Sequence, residues 1–193
     1  MGYSIDARWS SEMDGQTKLH RFRYHLARGF VEPGDNVVDI GCGQGYGTEI
    51  LAGVAGYVTG IDIDLNQILK NSETYKLKNA RFIYRNVEKN NIPSCDVAVA
   101  FEVIEHLYNP KSVVEKIKRK TKKWIIASVP IGETVEMIDG KPVVIGDSTH
   151  HSAFPTEESF KSMFVGEKWK EFFSFRSEVT LICVFYNKDG FSY

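Results

Sequence analysis

Residues 37–48, VVDIGCGQGYGT, set Asp39 two positions ahead of alternate glycines at 41, 43, 45 and 47. Glycine tolerates positive φ and lets a ligand approach the backbone without meeting a Cβ. The apolar run before this loop reads as a strand and the stretch after it as a helix. The helix start offers unpaired N–H groups and a positive dipole end, which suit a carboxylate or a phosphate. A dinucleotide fingerprint, G-x-G-x-x-G, needs glycine at position 46, where the chain has Tyr46. Asp39 is also a poor neighbour for a pyrophosphate and suits a ligand with an ammonium group. The next strand ends GIDID (60–64), with Asp62 nineteen positions after Gly43. That is the interval at which a carboxylate meets ribose hydroxyls in nucleotide-binding α/β folds. Asp64 competes for that role or instead caps the helix that begins at Leu65.

A second group of candidates is the set of histidines at 20, 25, 106, 150 and 151. Deprotonating a hydroxyl near neutral pH calls for a base with a pKa near 7, which histidine provides. His106 follows the fourth apolar run, at the strand end where ligands bind in open α/β sheets; the other reading is a packing or capping histidine. His150 and His151 lie next to Asp147 and Ser148, and on extended chain they face opposite ways. Their spacing with Asp147 matches no metal motif, so no metal site is expected. Glu105 is read as a surface charge, with service as a base the alternative.

These residues need elements to hold them. NVVDI (36–40), YVTGIDI (57–63), RFIYR (81–85), CDVAVA (95–100) and WIIASV (124–129) read as buried strands. Helical stretches at 45–55, 65–77 and 109–120 lie between them. Alternating strands and helices imply a Rossmann-like, mostly parallel sheet covered on both faces. The tail differs: 156–164 reads as a helix capped by Thr156, and 170–177 and 179–186 as an antiparallel hairpin closing a seven-stranded sheet. Residues 1–30, with Trp9, His20, Phe22, Arg23, Tyr24 and His25, and the excursion 131–155 fall outside this pattern. Each reads as a lid or as packing.

The bulk properties fit one domain spanning 1–193. Hydrophobic residues make up 42% and charged residues 25% of the 193, with a net charge of −1. No overall field favours polyanions. The basic run KSVVEKIKRKTKKW (111–124) reads as a solvated helix face, and no nucleic-acid-binding signature accompanies it. Cys42, Cys95 and Cys183 are odd in number and dispersed, as reduced thiols of a cytoplasmic protein would be. The start of the chain lacks the apolar core of a signal peptide, and runs such as VAVAF (97–101) are too short to span a membrane.

Taken together, VVDIGCGQGYG, GIDID and NVEKNNIPSCDVAVAFEVIEHL (86–107) resemble motifs of the class I S-adenosylmethionine-dependent methyltransferase family, type 11/23. The stretch RWSSEMDGQTKLHRFRYHLARGFV (8–31) adds a looser likeness to small methyltransferases of bacterial glycan biosynthesis. The resemblance implies S-adenosylmethionine as cofactor and S-adenosylhomocysteine as product. It places Asp39, Gly41, Cys42, Gly43 and Gly45 around the methionine part, Asp62 on the ribose and Ile63 on the adenine. Asn86, where the family usually has an acid, and Val87 would meet the adenine edge, with the Asn86 amide oxygen accepting from the adenine amino group. Phe101 and Glu102 would border the methyl group. The implied activity is O-methylation of a small polar acceptor such as a sugar hydroxyl. Nucleic-acid or protein methylation, and a non-catalytic cofactor-binding role, stay open, as does a homodimer.

Overall fold

The computed structural model describes residues 15–138, 141–145, 150–154, 156–177 and 180–191; residues 1–14, with Trp9, and the pair Asp147 and Ser148 lie outside them. The first five apolar runs form β1 (Asn36–Ile40), β2 (Tyr57–Asp62), β3 (Ala80–Tyr84), β4 (Cys95–Phe101) and β5 (Thr121–Pro130). They pair in parallel in the order β3-β2-β1-β4-β5. β9 (Thr180–Asn187) adds antiparallel to β5, and β8 (Trp169–Arg176) antiparallel to β9, which gives seven strands. The order reverses between β1 and β4, so a crevice opens there at the carboxyl ends of the strands.

Period-2 alternation sorts the core onto both faces of this sheet. Val37, Val97, Val99 and Phe101 face one side with Tyr24, Ala27 and Leu51. Val38, Ile40, Ala98 and Ala100 face the other with Ile117, Phe160 and Phe164. Asp39 has the parity of Val37, so the strand delivers its carboxylate to the first of these faces.

On that face α1 (Gly15–Arg28) lies across α2 (Tyr46–Ala52). Gly47 makes the approach possible: a Cβ there would stand 2.0 Å from Cζ of Tyr24, whose side chain is buried. α3 (Leu65–Thr74) starts at an Asp64 cap whose carboxylate accepts from the backbone N–H groups of Asn66 and Gln67. α4 (Pro110–Lys120) runs into β5 without a break. β5 begins three residues earlier than the apolar pattern suggests, because Thr121 pairs with Cys95 ahead of the Val/Ile run.

Two further elements differ from the sequence reading. α5 spans only Glu157–Lys161, shorter than 156–164. Its Thr156 cap is completed by Ser159, whose hydroxyl accepts from the Thr156 N–H where glutamate or glutamine is the usual partner. The excursion 131–155 holds a separate antiparallel hairpin, β6 (Thr134–Ile138) and β7 (Lys141–Ile145). The Asp139-Gly140 dipeptide between β-branched runs is the sequence signal for such a hairpin.

Candidate functional site

The glycine loop is built for positive φ, with values of 69° at Gly41, 44° at Gly43 and 83° at Gly45. L-residues meet a steric penalty in that region and glycine does not. The loop is tied down on three sides. The N–H groups of Gly41 and Cys42 both donate to the Ile61 carbonyl, at 2.8 and 3.1 Å. The fully buried Asn71 of α3 donates its amide to the Gly43 carbonyl at 2.7 Å. The Gly43 N–H donates to Oδ2 of Asp62 at 2.8 Å, while Oδ1 of Asp62 accepts from the Asp64 N–H. A Cβ on Gly43 would meet nothing within 4 Å, so this α-carbon faces open space. A backbone cradle beside a half-buried carboxylate is the result, at the switch point of the sheet. Ile63, 60% exposed, stands on its rim.

Asp39 lies beneath the loop and is fully buried. Its carboxylate accepts from the Tyr24 hydroxyl at 3.1 Å and from the Thr48 hydroxyl at 2.7 Å. Burial pushes its pKa up to about 6 against the pull of these two hydrogen bonds, with the nearby Asp62 adding to the rise. Asp39 thus joins α1, β1 and α2 under the cradle. Tyr24 also packs edge-on against Phe101, with ring centroids 5.0 Å apart. His20 of α1 hydrogen-bonds the Tyr46 hydroxyl at 2.7 Å, and burial together with Arg23 lowers its pKa to about 4. The contributions of His20, Arg23 and Tyr24 are ones that sequence reasoning left without a role. Their helical spacing marks a face but does not say what it covers.

Beyond β4 the chain turns sharply. Glu102 adopts φ 53°, the left-handed region where a non-glycine residue is strained. Its carboxylate is held by the buried Arg23 guanidinium at 2.9 Å and by the Ser128 hydroxyl at 2.7 Å. A 3-10 turn, Ile104–His106, follows. Glu105, read from sequence as a surface charge, is 1% exposed. Burial, reinforced by Glu102, raises its pKa to about 9. The cause lies far along the chain: the returning segment docks on this turn, with the N–H groups of His151 and Ser152 donating to the Glu105 carbonyl at 2.8 and 2.9 Å. The Ser152 hydroxyl adds a bond to the Leu107 carbonyl at 2.9 Å.

That docking brings distant histidines together. His150 meets His106 with ring centroids 4.8 Å apart, and its Nδ1 lies 2.5 Å from Glu133. His151 turns the other way and stacks on Tyr108 at 3.9 Å. The seam between this cluster and the glycine loop is Gly41: a Cβ there would fall 2.2 Å from Cγ2 of Val103.

Asn86 opens a turn. Its amide oxygen accepts from the N–H groups of Glu88 and Lys89, so the oxygen expected on the adenine edge is turned into a backbone loop. Neighbouring Val87 is buried. Part of the basic run also has an internal use, because Lys116 donates to the carbonyls of Val87 and Glu88. A cavity of about 310 Å³ opens beside the returning chain, lined by Pro110, Lys111, Val144, His151, Ser152 and Met163 among others, and none of its walls is the glycine loop. Among the described residues, no helix is long and apolar enough to cross a membrane.

Residues 38–124, a little under half of the chain, match the family described as "Methyltransferase domain". A probable S-adenosylmethionine-dependent methyltransferase of Mycolicibacterium smegmatis is 35% identical over 88 residues, which is 45% of this chain and 34% of that protein. A ubiquinone biosynthesis O-methyltransferase of Idiomarina loihiensis is 30% identical over 154 residues, 65% of this chain and 62% of that one. Each match thus spans less than two thirds of the relative's own length. The crystal structure of the N-methyltransferase NodS from Bradyrhizobium japonicum, in complex with S-adenosyl-L-homocysteine, superposes with a TM-score of 0.68 at 16% identity. It covers 96% of this chain and 94% of its own, a likeness of fold.

Proposed function

We propose that this chain, which carries a class I S-adenosylmethionine-dependent methyltransferase domain, methylates an oxygen of a small polar acceptor, with a sugar hydroxyl as the acceptor class. The observation that carries the reading is the seam at Gly41. It sets a backbone cradle, open above Gly43 and edged by Asp62, directly against the segment that holds Glu102, Glu105 and His106. The cradle suits the cofactor's shape and charge. Gly41, Cys42, Gly43 and Gly45 lie along the amino-acid end, with Asp39 acting beneath them through Tyr24 and Thr48. Asp62 meets the ribose hydroxyls, Ile63 and Val87 flank the adenine, and the backbone at Asn86 lies along its edge. Phe101 and Glu102 border the reacting end. When bound, the cofactor supplies an electrophilic methyl group on a sulfonium and leaves as S-adenosylhomocysteine.

What this chain adds is position and the handling of one proton. An in-line displacement gains most of its rate from holding the acceptor oxygen at the methyl. An alcohol must also lose its proton, a task we assign to His106 or to His150 beside it, since His151, the third candidate, turns away onto Tyr108. The Idiomarina relative is named as an O-methyltransferase, which supports oxygen as the acceptor atom.

Calorimetric titration with S-adenosylmethionine and S-adenosylhomocysteine, with NADH as the control, tests the cofactor. Micromolar binding of the first two and none of the third is expected, and binding of NADH alone would overturn the reading. His106→Ala should retain S-adenosylhomocysteine and lose turnover on a panel of sugar and quinol acceptors. Unchanged turnover would remove His106 from the chemistry.

A further inference from the structure

Glu102 stands where β4 gives way to the crevice, one residue past Phe101 and one before Val103, whose side chain fills the space that Gly41 leaves empty. Its backbone is held at φ 53°, a conformation unfavourable for an L-residue and kept only where the surroundings over-determine it. Building on the methyltransferase reading, and resting on it, we propose that Glu102 selects the cofactor by charge. Fixed in place by Arg23 and Ser128, its carboxylate favours the sulfonium of S-adenosylmethionine over the neutral thioether of S-adenosylhomocysteine.

The two oxygens of this carboxylate are not alike. Oε1 takes both the Arg23 guanidinium at 2.9 Å and the Ser128 hydroxyl at 2.7 Å, whereas Oε2 has no hydrogen-bond partner among the described residues. Arg23 is 4% exposed and Ser128 fully buried, so the first oxygen is anchored inside the fold. The Glu102 side chain as a whole is 25% exposed, at the switch point of the sheet. The guanidinium is itself held from behind, with Nη1 donating to the Ser128 hydroxyl and Nη2 to the Thr180 hydroxyl, both at 3.4 Å. The Glu102 N–H donates to the Ser128 carbonyl at 3.1 Å. Side chains of α1, β5 and β9 thus fix a carboxylate at the end of β4. Tyr24, the next residue of α1, bonds Asp39 beneath the cradle, so consecutive helix residues tie the glycine loop and Glu102 together. A charge held in this way meets an opposite charge without reorganising, which is what makes preorganised groups effective.

Transfer breaks the bond between sulfur and the methyl carbon and leaves its electron pair on sulfur. The new bond forms to the acceptor oxygen, whose proton passes to the base and then to water. The adenosine and the amino-acid end are the same before and after, so the methyl and its positive charge are all that distinguish cofactor from product. A fixed carboxylate beside that sulfur holds the charged form and loses its attraction once the charge has gone. Arg23 sits on the anchored side of the carboxylate, where its own charge opposes the sulfonium. Removing Glu102 alone therefore turns attraction into repulsion, whereas removing both residues leaves neither.

The test is calorimetry on the full chain with S-adenosylmethionine, S-adenosylhomocysteine and sinefungin, an analogue whose protonated amine stands in for the sulfonium. The quantity read is selectivity, the product's Kd divided by the cofactor's. Glu102→Gln should lower it by about 10-fold or more, with the loss falling on S-adenosylmethionine and sinefungin together. Glutamine keeps the shape of the side chain, so S-adenosylhomocysteine affinity should be nearly unchanged and reports on folding and on the cradle. The double variant Arg23→Met/Glu102→Gln should give a selectivity between those of the parent and Glu102→Gln. It also carries the test if the single variant, with its unpaired buried cation, fails to fold. Ser128→Ala removes one anchor and should lower selectivity by a smaller factor than Glu102→Gln. Equal weakening of all three ligands in Glu102→Gln would put the carboxylate on the ammonium group, or in the fold alone, and overturn the proposal. Unchanged selectivity would overturn it too. A parent chain that binds none of the three would defeat the methyltransferase reading itself, and this proposal with it.

Discussion

Replacing Gly41 with alanine should disturb the site in two separable ways. The first is conformational: at φ 69° an L-residue meets a penalty of about 1 to 2 kcal/mol. The second is steric. The new Cβ would stand 2.2 Å from Cγ2 of Val103, and overpacking of this kind costs roughly 1 to 3 kcal/mol. Gly41→Ala should therefore lose about 2 to 5 kcal/mol, a fall in Tm of roughly 5 to 15 °C for a chain of this length. Val103→Ala removes the atom that is struck and, at a partly buried position, should alone lose about 1 kcal/mol. The double variant should then recover the steric part and keep the conformational part, a coupling of about 1 to 3 kcal/mol. Urea unfolding of the four proteins, with S-adenosylhomocysteine affinity measured on each, gives both quantities. Additive losses would mean that Gly41 and Val103 do not touch, and the claimed seam between the cradle and the 102–106 segment would be lost with them.

The remaining predictions concern the carboxylates and α1. Asp62→Asn should weaken S-adenosylhomocysteine by about 10- to 100-fold, the loss of a charged hydrogen-bond acceptor. Asp64→Ala should instead lower stability by about 1 kcal/mol through the α3 cap, with little effect on affinity; equal effects on affinity would refute the assignment of Asp62. Arg23→Met leaves Glu102 without its cation and should lose about 2 to 3 kcal/mol of stability in urea unfolding, less than for a fully buried pair. Adding Glu102→Gln should restore part of that loss, and no restoration would argue against the pairing. Acidification tests two opposed terms. His20 is held down at about 4, below its ordinary 6.5, so its contribution falls away as pH drops from 6.5 towards 4. Asp39 is raised to about 6, above its ordinary 3.8, so its contribution grows as pH drops from 6 towards 3.8. Between pH 7 and 5 each term is of the order of 1 kcal/mol, after discounting His20 for its exposure. The parent's Tm should thus change little on their account, whereas His20→Gln should gain Tm on acidification. A variant whose Tm tracks the parent's would show that His20 is not buried against Tyr46.

The parts of this structure legible in the sequence are those fixed by neighbours along the chain. Val37 and Val38 announce a strand buried on both faces, and Gly41, Gly43 and Gly45 announce backbone that must take positive φ. Asp64 announces a helix cap by its place before Leu65. Glu105 was misjudged because its burial comes from a segment 46 residues away, whose His151 and Ser152 N–H groups seek its carbonyl. The turn at Asn86, whose amide oxygen accepts from the N–H groups of Glu88 and Lys89, depends on local loop geometry that residue types leave open. Arg23 and Tyr24 carried a helical face without a target, since the gap that admits Tyr24 is the missing side chain of Gly47 on another helix. His106 and His150 could each be proposed from strand position and composition. Their meeting depends on how the excursion returns past a hairpin, and no local pattern states that.

Charge ties the two halves of the site together. Summed over the chain, the formal charge is −1, and this near-neutrality says nothing about where the charges lie. At the carboxyl ends of β1, β2, β4 and β5 the structure gathers Asp39, Asp62, Glu102, Glu105 and Glu133, with the buried Arg23 set against Glu102. Burial raises the pKa values of Asp39 and Glu105, and neighbouring carboxylates, Asp62 for the first and Glu102 and Glu133 for the second, add to the rise. Such an arrangement is unfavourable in isolation and becomes favourable when positive ligands enter it. A sulfonium with an ammonium group above Gly43 is such a ligand. The excess of negative charge therefore favours the cofactor proposed above the glycine loop.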